Sequence, residues 1–173
     1  MIIDQPQSHF IFGYHPKVYE GRSYVTYKGM LLTNKEYLEY WGKWLVFGSR
    51  GMLDALAEKI DFHVESGIIA CFKYDRKPLK NLGMEDCIMC VFCHKKNRDA
   101  VWEILAGESV KLKAWIYDRE TIDMWLPGGK LLENWIRSEN LSENKAERIR
   151  AESRMKFAAI LDYPDRLFAG WPQ

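Results

Sequence analysis

Two spacings of apolar residues alternate along this chain. Lys43 to Phe47 (KWLVF) is almost continuously apolar, the mark of a strand buried on both faces, and Ile68 to Tyr74 (IIACFKY), Cys87 to Cys93 (CIMCVFC) and Leu112 to Tyr117 (LKAWIY) share that character. Between them the spacing lengthens. Leu53, Leu56, Ala57 and Ile60 recur at i, i+3, i+4 and i+7 behind Ser49 and Gly51, which predicts a helix. Val101, Trp102 and Leu105 predict a second helix, with Asn97 as its N-cap and Gly107 as its stop. Upstream, Arg22 to Lys28 (RSYVTYK) predicts a short strand that Gly29 breaks. Thr33-Asn34-Lys35-Glu36 is a capping box, opening a short helix that runs to about Trp41. Downstream, Asp118 is placed to cap Arg119 to Trp125, Pro127-Gly128-Gly129 breaks the chain, and Lys130 to Ser138 resumes it. Ser142 caps a longer helix through Ala146, Ile149, Met155 and Ala159, with Pro164 beyond its end.

From Lys43 the order strand, helix, strand, strand, helix, strand is the split β-α-β pattern of ferredoxin-like domains. The expected class is α+β: a mostly antiparallel sheet of four to five strands backed by helices, followed by a helical C-terminal extension. At 173 residues one domain is expected, with its core at about residues 22–121 and the extension at about 122–173. A hydrophobic content of 47% supplies enough apolar surface to offset the entropy of ordering the chain, which excludes global disorder. Lys and Arg total 25 against 24 Asp and Glu, so no whole-molecule field draws the protein to nucleic acid or an anionic membrane. An anionic partner must therefore meet a local patch. Met1 to Phe12 lacks the apolar core of a signal peptide and no stretch reaches membrane-spanning length, so a cytoplasmic protein without a membrane partner is expected.

The four cysteines fit that compartment. Cys87-x-x-Cys90-x-x-Cys93-His94 has the spacing that opens an iron–sulfur ligand run, with Cys71 or His94 as a fourth ligand. On an extended strand, however, Cys87 and Cys93 point one way and Cys90 the other. The preferred reading is three small buried hydrophobes, with no metal and no cofactor expected. The following loop, His94-Lys95-Lys96-Asn97-Arg98, enters a helix whose first amides lack acceptors, and two lysines, an arginine and a histidine there make an anion site. Between residues 73 and 99, Lys73, Arg76, Lys77, Lys80, Lys95, Lys96 and Arg98 outnumber Asp75, Glu85, Asp86 and Asp99. Aromatics interleave with cations at Tyr24, Tyr27 and Lys28, at Trp41, Lys43 and Trp44, at Phe72, Lys73, Tyr74 and Arg76, and at Lys113, Trp115, Tyr117 and Arg119, as a stacking floor with a charged rim requires if one sheet face is open. No phosphate loop, dinucleotide fingerprint or nucleophile elbow occurs. Of His9, His15, His63 and His94, the last is the candidate general base.

Several of these segments together carry a family resemblance. They are Tyr40-Trp41-Gly42-Lys43-Trp44-Leu45-Val46-Phe47, then Asp54, Glu58-Lys59-Ile60, the Gly67 strand ending in Lys73, Cys90-Val91-Phe92, and Lys113-Ala114-Trp115. Over about Trp41 to Thr121 the chain resembles the Bles-type proteins, named for a basophilic-leukaemia-expressed member, whose fold is similar to that of the cap-binding translation initiation factor 4E. The resemblance implies a curved sheet backed by helices with ligands on its concave side; some members are described by similarity as phosphothreonine lyases. Cap binding does not carry over, because no pair of sandwiching tryptophans with a charge-pairing acid can be matched, Trp41, Trp44 and Trp115 being candidates. The Pro127-Gly128-Gly129 turn and the helical tail depart from the family.

The leading functional expectation is binding of a phosphorylated ligand, a nucleotide or short RNA. Lys95, Lys96, Arg98, Arg76 and Lys113 would meet phosphate and Trp115 would stack. A phosphoester-acting enzyme, with His94 and Lys73 as acid and base, is the alternative. A third reading is an interaction module, a homodimer joined through Trp125, Trp135, Phe157, Phe168 and Trp171.

Overall fold

Six strands form one antiparallel sheet in the computed structural model, which describes residues 1–172. The first half of the chain holds β1 (Ile2–Ile3), β2 (Phe10–Tyr14), α1 (Pro16–Tyr19), β3 (Thr26–Tyr27), β4 (Met30–Leu31), α2 (Asn34–Tyr40), β5 (Trp41–Gly48) and α3 (Arg50–Glu65). The second half holds β6 (Cys71–Asp75), β7 (Cys87–His94), α4 (Arg98–Gly107), β8 (Trp115–Tyr117), α5 (Asp118–Trp125), α6 (Lys130–Ser138) and α7 (Glu143–Leu161). The strand order is β1-β2-β6-β7-β5-β8. Its inner part is the split β-α-β: the β6–β7 hairpin inserts β7 between β5 and β6, and β8 closes on the far side of β5. No described helix is long and apolar enough to cross a membrane.

Local signals account for the starts of α2 and α3, while Ser142 stands at the cap position of α7 without a side-chain bond. The Thr33 hydroxyl accepts from the Glu36 amide at 3.2 Å while the Glu36 carboxylate accepts from the Thr33 amide at 2.8 Å, completing the capping box of α2. Ser49 accepts from the Met52 amide at 3.3 Å and opens α3. Asn97 makes no such bond. A single 3-10 turn, Lys95–Asn97, precedes α4, and His94 caps it by accepting from the Lys96 amide on Nδ1 at 3.1 Å. Asp118 is likewise not the cap of α5 but its first helical residue, with Tyr117 at the cap position and the Asp118 carboxylate turned into the interior.

Three strand expectations change. The sheet begins at Ile2 rather than near residue 22, because Phe10–Tyr14 (FIFGY) pairs along the whole of β6 and carries β1 outside it. Gly13 conceals this strand in the sequence; it is glycine because the Phe72 ring lies across its backbone where a Cβ would stand. Arg22 to Lys28 does not join the sheet at all. Lys28 and Gly29 both take positive φ, 50° and 77°, so Thr26-Tyr27 folds back on Met30-Leu31 as a separate two-residue hairpin. Leu112 to Tyr117 contributes only three residues, pairing with Gly42 to Trp44.

The two faces of the sheet bury different layers. Trp44, Val46, Phe72, Tyr74, Met89 and Val91 meet Leu53, Leu56 and Ile60 of α3 and Val101 and Leu105 of α4 in the larger core. The opposite face meets Tyr37 of α2, Ile122 of α5, Phe157 and Ile160 of α7, and Phe168. The C-terminal helices are thus part of the same packed body, and their aromatics are largely used within it. Phe157 and Phe168 are buried, and Trp171 donates to the Tyr37 hydroxyl at 2.6 Å while packing edge-on against Phe157.

Lys43 stands in the middle of this second face. Its ammonium donates to the Asp118 carboxylate at 2.7 Å and to the Thr121 hydroxyl at 2.9 Å, and the Tyr37 hydroxyl donates to the second carboxylate oxygen at 2.6 Å. The Tyr37 phenol is held far above its ordinary range by burial and then by the Asp118 charge, so it remains a donor. Removing one partner of a buried pair strands the other charge. Asp118→Ala is expected to lower the urea-derived unfolding free energy by about 3–5 kcal/mol, and the double variant Lys43→Met, Asp118→Leu by clearly less, since it leaves neither charge behind. Equal losses in the two proteins would show that the charges do not act as a pair.

Candidate functional site

Where β7 ends at His94, a cleft of about 540 Å³ opens between the β3–β4 hairpin, the segment around α1 and the turn from α3 to β6. Its walls carry His15, Lys17, Arg22, Lys28 and His94 and no carboxylate. Ser23, Thr26 and Asn97 add neutral polar groups. Among the described residues, Lys17, Arg22 and Lys28 have no carboxylate within ion-pair distance. Three unneutralised cations gathered in a concavity repel one another, and an anion placed between them relieves that repulsion while gaining from all three.

Tyr27 organises one wall. Its ring stacks on the His94 imidazole with centroids 4.2 Å apart, and the ammonium groups of Lys96 and Lys28 lie 5.3 and 5.5 Å from its centroid. Tyr40 stacks on His94 as well, at 5.1 Å. With Nδ1 accepting from the Lys96 amide, the imidazole is fixed in orientation and its remaining nitrogen is Nε2. Burial, and then the Lys96 charge, lowers the His94 pKa below 6.5. The ring is therefore neutral at physiological pH, and the local positive charge comes from the lysines and the arginine.

The expected site residues divide. His94 lines the cleft; Lys96 is exposed and stands outside its lining, with its ammonium over the Tyr27 ring. Lys95 is exposed and does not line it. Arg98 pairs with Asp99 at 3.0 Å, and its carbonyl accepts from the Trp44 indole at 2.9 Å. Arg76 clamps the N-terminal loop, donating to the Ser8 and Gln5 carbonyls at 2.9 and 2.8 Å and pairing with Asp4. Trp115 packs against Trp44 at 5.3 Å on the helix-covered face, and Lys113 lies over Trp102 at 5.5 Å. Phe72, Tyr74 and Trp115 all belong to that packed face, so they form no open stacking floor. Lys73 lines a different cavity: its strand partner on β7 is Cys90, four residues before His94. The structure does not bring His94 and Lys73 together as an acid–base pair.

Along β7, Cys87 and Cys93 join the helix-covered core and Cys90 faces the other way. Burial pushes the Cys93 thiol up to about 12, which keeps it protonated. Among the described residues, no three His, Cys, Asp or Glu side chains are placed to hold a metal ion.

Lys17 and Arg22 are not singled out in the sequence; Lys28 enters only as a cation beside Tyr24 and Tyr27, and His15 only among the four scattered histidines. Their signal is nonetheless present: Lys17, Arg22 and Lys28 face only Glu20 between residues 15 and 28, and Lys28-Gly29 has the composition of a tight hairpin turn. Compared with protein-family models, curated proteins and solved structures, the chain matches none. The functional reading therefore rests on the geometry.

A lowered imidazole pKa means that the unfolded chain takes up the proton first as pH falls. The His94 contribution is thus complete above pH 6.5 and diminishes below it, as the pH approaches the lower folded value. Urea unfolding from pH 7.5 down to about 5 should show a decline that is shallower in His94→Gln. Superimposable pH profiles for the two proteins would remove His94 as a source of it.

Proposed function

We propose that the chain binds a small phosphorylated ligand, of nucleotide size, in the basic cleft at the end of β7. One observation carries the reading: in a chain of formal charge +1, the ionisable walls of this cleft include Lys17, Arg22 and Lys28 and no carboxylate. Phosphate chains are the biological anions that match several separated cations at once. The cleft, at about 540 Å³, has the dimensions of a small-ligand site. Lys28 approaches from the Tyr27 wall, with Lys96 behind the same ring, Lys17 and Arg22 approach from the α1 side, and Ser23 and Thr26 add hydroxyls to the lining. Arg22 is suited to two-pronged contact with a phosphate, and the lysines act as point charges. His94, neutral and held between Tyr27 and Tyr40, shapes the wall.

The reading makes a quantitative demand. Calorimetric titration with ATP and with inorganic tripolyphosphate should give saturable binding that weakens steeply from 50 to 200 mM salt. Arg22→Glu with Lys28→Glu should weaken both by at least about tenfold and flatten the salt dependence, whereas Lys95→Glu, outside the cleft, should change affinity by only about twofold. Undiminished binding in the double variant, or none in the parent protein, would overturn the assignment.

A further inference from the structure

A second cavity, of about 490 Å³, lies on the opposite side of the sheet from α3 and α4, between the strand face and α5, α6 and the C-terminal segment. Its walls are mostly aromatic and aliphatic, with Phe10, Ile88 and Phe92 on the strands facing Trp125, Leu131 and Trp171. Four charged groups enter this apolar space, and three are already engaged. Lys43 and Asp118 neutralise each other at 2.7 Å. Asp75 accepts from the Ile88 amide at 2.9 Å, and its other oxygen lies 3.4 Å from His9 Nε2. The fourth is Lys73. Its ammonium sits 4.4 Å from the Phe10 ring centroid, and no described carboxylate lies within ion-pair distance of it.

We infer that this cavity is a binding site for an apolar monocarboxylate, with the carboxylate on Lys73 and the hydrocarbon body against Phe10, Ile88, Phe92 and Trp125. The charge balance selects the class. One unpaired ammonium matches one negative charge, and the carboxylates of Asp75 and Asp118 on the same walls oppose a phosphate dianion. The apolar lining supplies the driving force, and the single cation orients the guest. The site shares only Tyr24 with the basic cleft and takes a ligand of different chemistry.

The probe is naphthalene-2-carboxylate, with naphthalene-2-carboxamide as its neutral twin, titrated calorimetrically into the whole protein. The carboxylate should bind saturably and at least about tenfold more tightly than the amide, as a charge-assisted contact provides. Lys73→Met should remove that preference while leaving amide binding in place, and Lys73→Arg should restore part of it. Lys73→Met should also leave tripolyphosphate binding at the cleft unchanged, so the two site assignments fail separately. Ile88→Trp, which fills the cavity without touching the charge, should abolish binding of both probes. Absence of saturable carboxylate binding, equal affinity for carboxylate and amide, or a preference that survives Lys73→Met would each overturn the inference.

Discussion

A single buried ion pair, Lys43 with Asp118, ties the sheet to the helical layer on its second face. Lys43 belongs to β5, the strand that pairs with both β7 and β8, yet its side chain points into the layer where α2, α5 and the C-terminal segment meet. An ammonium in that position requires a carboxylate, and Asp118 supplies it from the first turn of α5, where the helix dipole also favours negative charge. Tyr37 brings α2 to the same carboxylate and Trp171 brings the chain end to Tyr37. The start of α5 and the seat of α2 therefore both follow from where one lysine falls in a strand. Gly42 belongs to the same arrangement: the Trp115 ring and the Ile116 carbonyl occupy the place of its missing Cβ, so β8 approaches closely enough to put Asp118 next to Lys43.

Much of the fold was legible because it rests on local signals. The Thr33–Glu36 box, the Ser49 cap and the Pro127-Gly128-Gly129 break need only neighbouring residues, and the order of elements from Lys43 onward yields the split β-α-β. What escaped depends on distant contacts. β2 is recognisable as a strand only beside β6, since Gly13 weakens its own propensity and is explained by the ring of Phe72, far away in sequence. Asp118 carries the composition of a helix cap; it is the buried lysine that draws it inward. An apolar strand containing one lysine was the available clue, because a charge at such a position demands a partner.

The candidate sites were legible to a lesser degree, for the same reason. A run of cations in sequence indicates charge but not its neutralisation. Arg76 and Arg98 are spent on Asp4 and Asp99, whereas Lys17, Arg22 and Lys28, spread over a segment read as a plain strand and its approach, converge once the Lys28-Gly29 turn folds back. His94 stands out in the sequence beside Lys95 and Lys96, and the structure sets it where β7 gives way to a turn, on the wall of the cleft. Lys73 was found as a cation but assigned to the wrong neighbourhood: alternation along a strand gives its face, while its distance from His94 depends on the register of β6 against β7.

The outline of the sheet has its own consequence. The two eight-residue strands, β5 and β7, lie inside it, while the outermost strands are only two and three residues long. A row of unsatisfied amides and carbonyls at a sheet margin is a template on which another chain can lay a strand, and its hazard grows with its length. Here each outermost strand presents only two or three residues of such a row. β7, with its run of cysteine, valine and aromatic side chains, is thus kept from the margin, between β5 and β6.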